Sequence, residues 1–249
     1  MRSHCWGGNN IDPHLLVNGP NESYLYWKED NNGVWPDLLN SLLFDHPNLV
    51  SRCFTSEDDT LTAALMATLL PWIEGLDPMQ RFFVQQPMIE AVRARFAEFR
   101  TRLRTLRCDC SRVVELSSRM RTPFYVGRLT ADGTGLCDTP RVVLENDQPW
   151  EAHVIEGMWV VAAKGRFYMF YAANDFSTDE YGIGVAVGDS PTGPFRKLAR
   201  PLLRSTAEWS APGHPSVALG PEGQHLMFLH AYPPGTAGIS IFGHCWDWG

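Results

Sequence analysis

Between Trp150 and Phe176 the chain reads WEAHVIEGMWVVAAKGRFYMFYAANDF, and this stretch leaves few folds open. After Glu156-Gly157 comes the run Met158 to Val161, then the turn signal Lys164-Gly165, then Phe167 to Tyr171, nearly all aromatic or aliphatic. Two short β-favouring runs about a Lys-Gly turn predict a buried hairpin. A carboxylate at the mouth of such a hairpin is costly to bury without a partner or a task, which makes Glu156 a candidate functional residue.

Similar units recur along the chain. Residues 9–28, NNIDPHLLVNGPNESYLYWK, carry two strand patterns about a turn rich in Asn, Gly and Pro, and this hairpin also opens on an acid, Asp12. Pro13 is expected to push Asp12 into an extended conformation at the strand's entrance; an Asx turn before the strand is the alternative. TPFYVGRLT, the turn ADGTG and TPRVVLE resume the strand pattern at Thr122. The opening hairpin is followed by YGIGVAVGDSPTGPFRKL, a strand, a turn and a short outer strand. GHPSVALGPEGQHLMFLHAY and GISIFGHCWDW supply a further hairpin and strand.

From Trp35 to Met120 the apolar spacing becomes helical. In MIEAVRARFAEFRTRLRTL, Ile89, Val92, Phe96, Phe99, Leu103 and Leu106 recur at steps of three and four and should face a core. The helix carrying LTAALMATLLPWI is expected to start near Thr55-Ser56, with Asp58 and Asp59 at its positive end; Gly75 and Pro78 should separate it from the next, and Pro87 should break or bend that one. The arginines between Arg81 and Arg107 are interspersed with acids, which reads as a solvated helix face. Removing this segment joins 10–28 to 122–145 as four consecutive antiparallel strands, one propeller blade. The organisation predicted is therefore residues 1–33 as the first part of a blade, 34–121 as an α-helical insertion, and 122–249 as the rest of that blade and two more. A strand repeat of roughly fifty residues outside the helices is the mark of radial repetition.

The formal charge of −7 and pI near 5.6 argue against a nucleic-acid surface, which needs a concentrated basic face. The aromatics, nine Trp, seven Tyr and thirteen Phe, are read mainly as core, with some as platforms for a neutral ligand. Cys5, Cys53, Cys108, Cys110, Cys137 and Cys245 lack the spacing of a zinc site or a disulfide scaffold and are expected to be reduced thiols. The N-terminus lacks the apolar core of a signal peptide, and no run of about 18 apolar residues occurs, so no membrane partner is expected. As given, the chain reads as cytoplasmic, although a start preceding this one could carry an export signal.

IDPHLLV followed by YLYWK, VIEGMWVV with FYMFYAANDF, YGIGVAVGDSPTGPF, and PGHPSV with FLHAY together resemble the later blades of glycoside hydrolase family 43. That family comprises five-bladed β-propellers such as β-xylosidases, α-L-arabinofuranosidases and arabinanases, and the resemblance covers roughly 9–33 and 121–249. It implies a mainly β fold, a partial β-propeller of about three four-stranded blades with an α-helical insertion. It also implies hydrolysis of O-glycosidic bonds in arabinose- or xylose-containing glycans by an inverting acid/base mechanism.

By motif match Glu156 would be the general acid, and Asp12 the aspartate that orients it and tunes its proton affinity. An acid of this kind must carry its proton near neutral pH, which a neighbouring carboxylate and apolar surroundings favour. His214 in PGHPSV matches a histidine at the pocket floor near a calcium ion or water; a core histidine bonded to backbone is the alternative. Trp27, Trp159, Phe176, Trp209 and His214 are the candidate sugar-binding residues. No cofactor is required, and a structural calcium would be the only metal.

The sequence departs from the family in one respect. The resemblance places the general base and a further pocket wall in two earlier blades, and no such motif precedes Asp12. Asp30, Asp147, Asp175 and Asp179 are carboxylates that no motif singles out as base. An incomplete chain, a ring completed by another chain in an oligomer, or cover from the helical insertion would each account for the missing blades. A non-catalytic protein with carbohydrate-binding or structural function is the rival reading, and a helical interaction module on a β scaffold is a third.

Overall fold

The computed structural model describes residues 10–106, 110–236, 238 and 240–246. These fall into two compact units, one within Met1–Glu29 and Thr122–Gly249, the other within Asp30–Arg121.

In the β unit, β1 (Asn10–Val17) and β2 (Ser23–Glu29) precede the helical segment, and β3 (Phe124–Arg128) and β4 (Arg141–Leu144) follow it. The four form one antiparallel sheet in the order β1-β2-β3-β4. Tyr24 pairs with Arg128, Tyr26 with Val126 and Lys28 with Phe124, so the strands on either side of the helices are direct neighbours. A second four-stranded sheet holds β5 (Ile155–Ala163), β6 (Arg166–Ala173), β7 (Gly182–Gly188) and β8 (Phe195–Lys197). Its first hairpin closes on Lys164 and Gly165 with φ of 48° and 74°, the left-handed pair that matches the twist of two-residue turns. The third sheet is β9 (Ser210–Leu219), β10 (His225–Tyr232) and β11 (Ser240–Trp246), the hairpin and strand read from the sequence, three strands among the described residues where the family resemblance implied four.

The second sheet lies between the other two. Met169 and Tyr171 of β6 join Tyr24, Tyr26, Phe124 and Val126 in one core, while Phe170 joins Val217, Met227 and Leu229 in another. Both faces of β6 are thus covered, which is why FYMFY shows no polar alternation. Each such buried large side chain contributes about 1.5–3 kcal/mol. Tyr26 also donates its hydroxyl to the Pro191 carbonyl, 2.5 Å, tying the first sheet to the β7–β8 turn.

The other unit is helical: α1 (Val34–Asp45), α2 (Val50–Cys53), α3 (Glu57–Thr68), α4 (Leu70–Ile73), α5 (Pro78–Val84), α6 (Gln86–Arg93), α7 (Phe96–Thr105) and α8 (Cys110–Arg119). Ser56 caps α3 by accepting from the Asp59 amide at 3.3 Å. The stretch from Met88 to Leu106, read as one amphipathic helix, is two. The chain leaves helical geometry at Arg95 (φ −137°), whose guanidinium pairs with Asp59. Ile89, Val92, Phe96, Phe99, Leu103 and Leu106 are nevertheless all buried, so the apolar stripe survives the break. Arg81 pairs with Asp37, Arg93 with Glu90 and Arg102 with Glu98; the Arg102 pair is exposed, whereas the Arg93 side chain is only 12% exposed, so the charged face is solvated in part.

No helix among the described residues is long and apolar enough to cross a membrane. Cys53 and Cys137 are free thiols; Cys5 and Cys108 lie outside the described residues.

Candidate active site

The first strand of each sheet carries the same irregularity. In β1, Ile11 pairs with Lys28 and His14 with Tyr26, leaving Asp12 and Pro13 opposite Trp27 alone. In β5, Glu156 pairs with Ala172 and Trp159 with Phe170, leaving Gly157 and Met158 opposite Tyr171. In β9, Gly213 pairs with His230 and Ser216 with Phe228, leaving His214 and Pro215 opposite Leu229. These are β-bulges, which bend a strand and re-aim its side chains. The first extra residue has a left-handed φ in every case: 53° at Asp12, 57° at Gly157 and 49° at His214.

Asp12 is therefore not extended as Pro13 led one to expect. The extra residue in the ladder overrides the local preference, at a cost of order 1–3 kcal/mol that surrounding contacts must offset. One such contact is visible: Asp12 Oδ2 accepts from the Gly157 amide at 2.8 Å, across 145 residues of sequence and into the next sheet. That bond, rather than an Asx turn, is where the carboxylate is engaged.

The bulges touch in succession. A side chain at Gly157 would bring Cβ within 2.8 Å of His214 Nδ1, so the imidazole lies directly on this glycine. Immediately before it, Glu156 is partly buried, with 18% of its side chain exposed. Its Oε1 accepts from the Tyr181 hydroxyl at 2.6 Å, and Lys28 Nζ, fully buried, stands 3.5 Å from Oε2. Tyr181 is itself buried against Gly213, where a Cβ would come within 1.8 Å of its ring, and it stacks on His230 at 6.1 Å. Burial first, and then the charges of Glu156, Asp12 and Asp175, hold the Tyr181 hydroxyl well above its ordinary range, so it remains a donor. Burial, helped by the nearby His214, lowers the proton affinity of His230.

A family model for glycosyl hydrolases family 43 matches residues 116–243, half of the chain. The chain belongs to family 43. Glu156 and His214 lie within the matched stretch; Asp12 lies outside it and reaches the site through the β1–β5 contact. Among curated relatives, the β-D-galactofuranosidase xynD of Aspergillus niger is 30% identical over 86 residues, 33% of this chain and 25% of that protein. A xylosidase/arabinosidase of Bacteroides ovatus is 38% identical over 64 residues, 26% of this chain and 19% of that protein. Among solved structures, a thermostable family-43 glycoside hydrolase superposes on 98% of this chain with a TM-score of 0.57 at 19% identity, and the match spans 56% of its length. The fold is thus that of a family 43 propeller in part, and the chain spans about half of that solved relative.

Within this fold the candidate sugar-binding rings have different surroundings. Trp27 is 6% exposed and stacks on Tyr125 at 5.7 Å. Trp159 packs on His14 at 4.4 Å and against the core between the second and third sheets. Trp209 meets Phe242 edge-on and donates Nε1–H to the Arg204 carbonyl. Phe176, 42% exposed, presents its ring to solvent.

Of the unassigned carboxylates, Asp147 pairs with Lys197, Asp175 accepts from Ser177, and Asp30 accepts from the Asn32 amide within the helical unit. Among the described residues no three His, Cys, Asp or Glu side chains gather as a metal site. His214, exposed and 6.2 Å from the ring of His230, offers nitrogen where calcium takes six to eight oxygens, so these side chains do not form a calcium shell.

The sequence reading missed Lys28 and Tyr181. Lys28 carried a signal: it continues Tyr24 and Tyr26 at period two on the face of β2 that packs on the second sheet, a charge at a core position.

Proposed function

We propose that this chain is a family 43 glycoside hydrolase acting on arabinose- or xylose-containing glycans with inversion, with Glu156 as its general acid. The observation that carries the reading is the succession of bulges that sets Glu156 beside the Asp12–Gly157 bond and the His214 ring. In this reading Glu156 gives its proton to the glycosidic oxygen as the bond to the anomeric carbon breaks. Water adds to that carbon from the opposite face and loses its proton to a base. Asp12 acts by fixing the peptide that follows Glu156. Inversion needs the base carboxylate about 6.5–9.5 Å from the acid, and no described residue is assigned that role. His214 and Phe176 are the site's sugar-facing candidates.

The test is hydrolysis of phenyl β-xyloside and phenyl α-L-arabinofuranoside by the homogeneous chain. Glu156→Gln should lower kcat by about 100-fold or more, the range of a positioned general acid; an active wild type whose Glu156→Gln variant matches it would refute the assignment. The rival is a non-catalytic protein with a carbohydrate-binding or structural role, motivated by no described residue being assigned as base. Xylo- or arabino-oligosaccharide binding without turnover would establish that rival.

A further inference from the structure

We propose that Lys28 and Tyr181 are positioning residues for Glu156, gripping its two carboxylate oxygens from β2 of the first sheet and from the residue preceding β7 of the second, and stabilising the carboxylate that forms as the proton leaves. The proposal rests on the reading of Glu156 as general acid.

Lys28 has no exposed side-chain surface, and Glu156 Oε2, at 3.5 Å, is its acidic partner. A fully buried ammonium is stabilised as negative charge builds on the group that faces it. The separation is longer than the 2.7–2.9 Å of a tight charge-assisted bond, so the pair has room to shorten as negative charge builds on Glu156. Interactions that strengthen on the way to the transition state raise kcat.

Tyr181 acts on the other oxygen. Its hydroxyl donates to Oε1 at 2.6 Å, which leaves Oε2 for the transferable proton. The ring is locked between Gly213, which has no room for a Cβ beside it, and His230. The two grips together remove the rotation of a side chain that is otherwise partly open to solvent. Proton and electrons balance: the Oε2 proton bonds the glycosidic oxygen, the C–O bonding pair stays with that oxygen, and Glu156 is left as carboxylate between a cation and a hydroxyl donor.

The experiment compares Tyr181→Phe, Lys28→Met and Glu156→Gln on phenyl and 2,4-dinitrophenyl glycosides of the same pentose. Dinitrophenolate departs without a proton, whereas phenolate needs one. Tyr181→Phe and Lys28→Met should each lower kcat on the phenyl substrate about tenfold or more with little change in KM, and lower it far less on the dinitrophenyl substrate. Tyr181→Phe keeps the ring in its slot, so it carries the test even if Lys28→Met fails to fold. Unchanged phenyl kcat in Tyr181→Phe, or equal losses on both substrates, would overturn the proposal. A fall in Glu156→Gln without a fall in the other two sinks the clamp alone, whereas Glu156→Gln behaving as wild type, or a wild type with no turnover, removes the acid reading and the clamp with it.

Discussion

At the scale of single residues, the site depends on positions where a side chain is forbidden. Gly157 has a left-handed φ of 57°, its amide holds Asp12, and His214 occupies the space a Cβ would need. Gly165 has a similar φ of 74° with open space around it. Gly157→Ala should therefore destabilise the protein by about 2–4 kcal/mol, combining backbone strain with displacement of the imidazole. Gly165→Ala should cost only about 1–2 kcal/mol, the backbone share. Urea denaturation of the two variants checks this, and equal losses would mean that the imidazole moves aside freely. Gly157 was legible only as the residue after an acid. Its φ and its neighbour depend on two strands that approach from 145 and 57 residues away, so no local pattern could announce them.

Among elements, the first and second sheets are joined through His14. This residue of β1 is buried, and its Nε2 meets the Val160 carbonyl of β5 at 3.0 Å. Burial lowers its pKa to about 4, against an ordinary value of 6.5, with the Val160 bond opposing the shift. The folded protein then binds less proton than the unfolded chain between these values. The His14 contribution is fully present above pH 6.5 and is lost as pH falls toward 4, by roughly 3 kcal/mol over the window. Replacing it as His14→Gln should flatten the stability profile between those limits, measured by denaturation at stepped pH; an unchanged slope would place the acid sensitivity elsewhere. The strands themselves were largely readable from alternation and turns, and α3 from its Ser56 cap. The break at Arg95 was not, because the apolar stripe runs through it unbroken and the competing contact with Asp59 is tertiary.

For the whole molecule, the helical unit interrupts a sheet without interrupting its pairing. Lys28 lies opposite Phe124, so β2 ends at Glu29 beside the start of β3. Replacing 30–121 by Asn-Gly leaves a three-residue loop, ending on Thr122, between Glu29 and Pro123, and should close β2 and β3 as a hairpin. The shortened chain should keep a β circular-dichroism spectrum and a cooperative melt; an unfolded product would show that the β unit needs the helices. The sequence by itself determined which segments pair and in what order, since hydrophobic alternation, turn residues and motif order are local and survive being read along a line. It also marked Asp12, Glu156 and His214 as residues of interest. Only the tertiary structure decided what surrounds them: the bulges that turn their side chains, the buried Lys28 and the Tyr181 hydroxyl on Glu156. Those features come from residues far apart in sequence meeting in space, where burial and hydrogen bonding outweigh the preference of any one residue for its own local conformation.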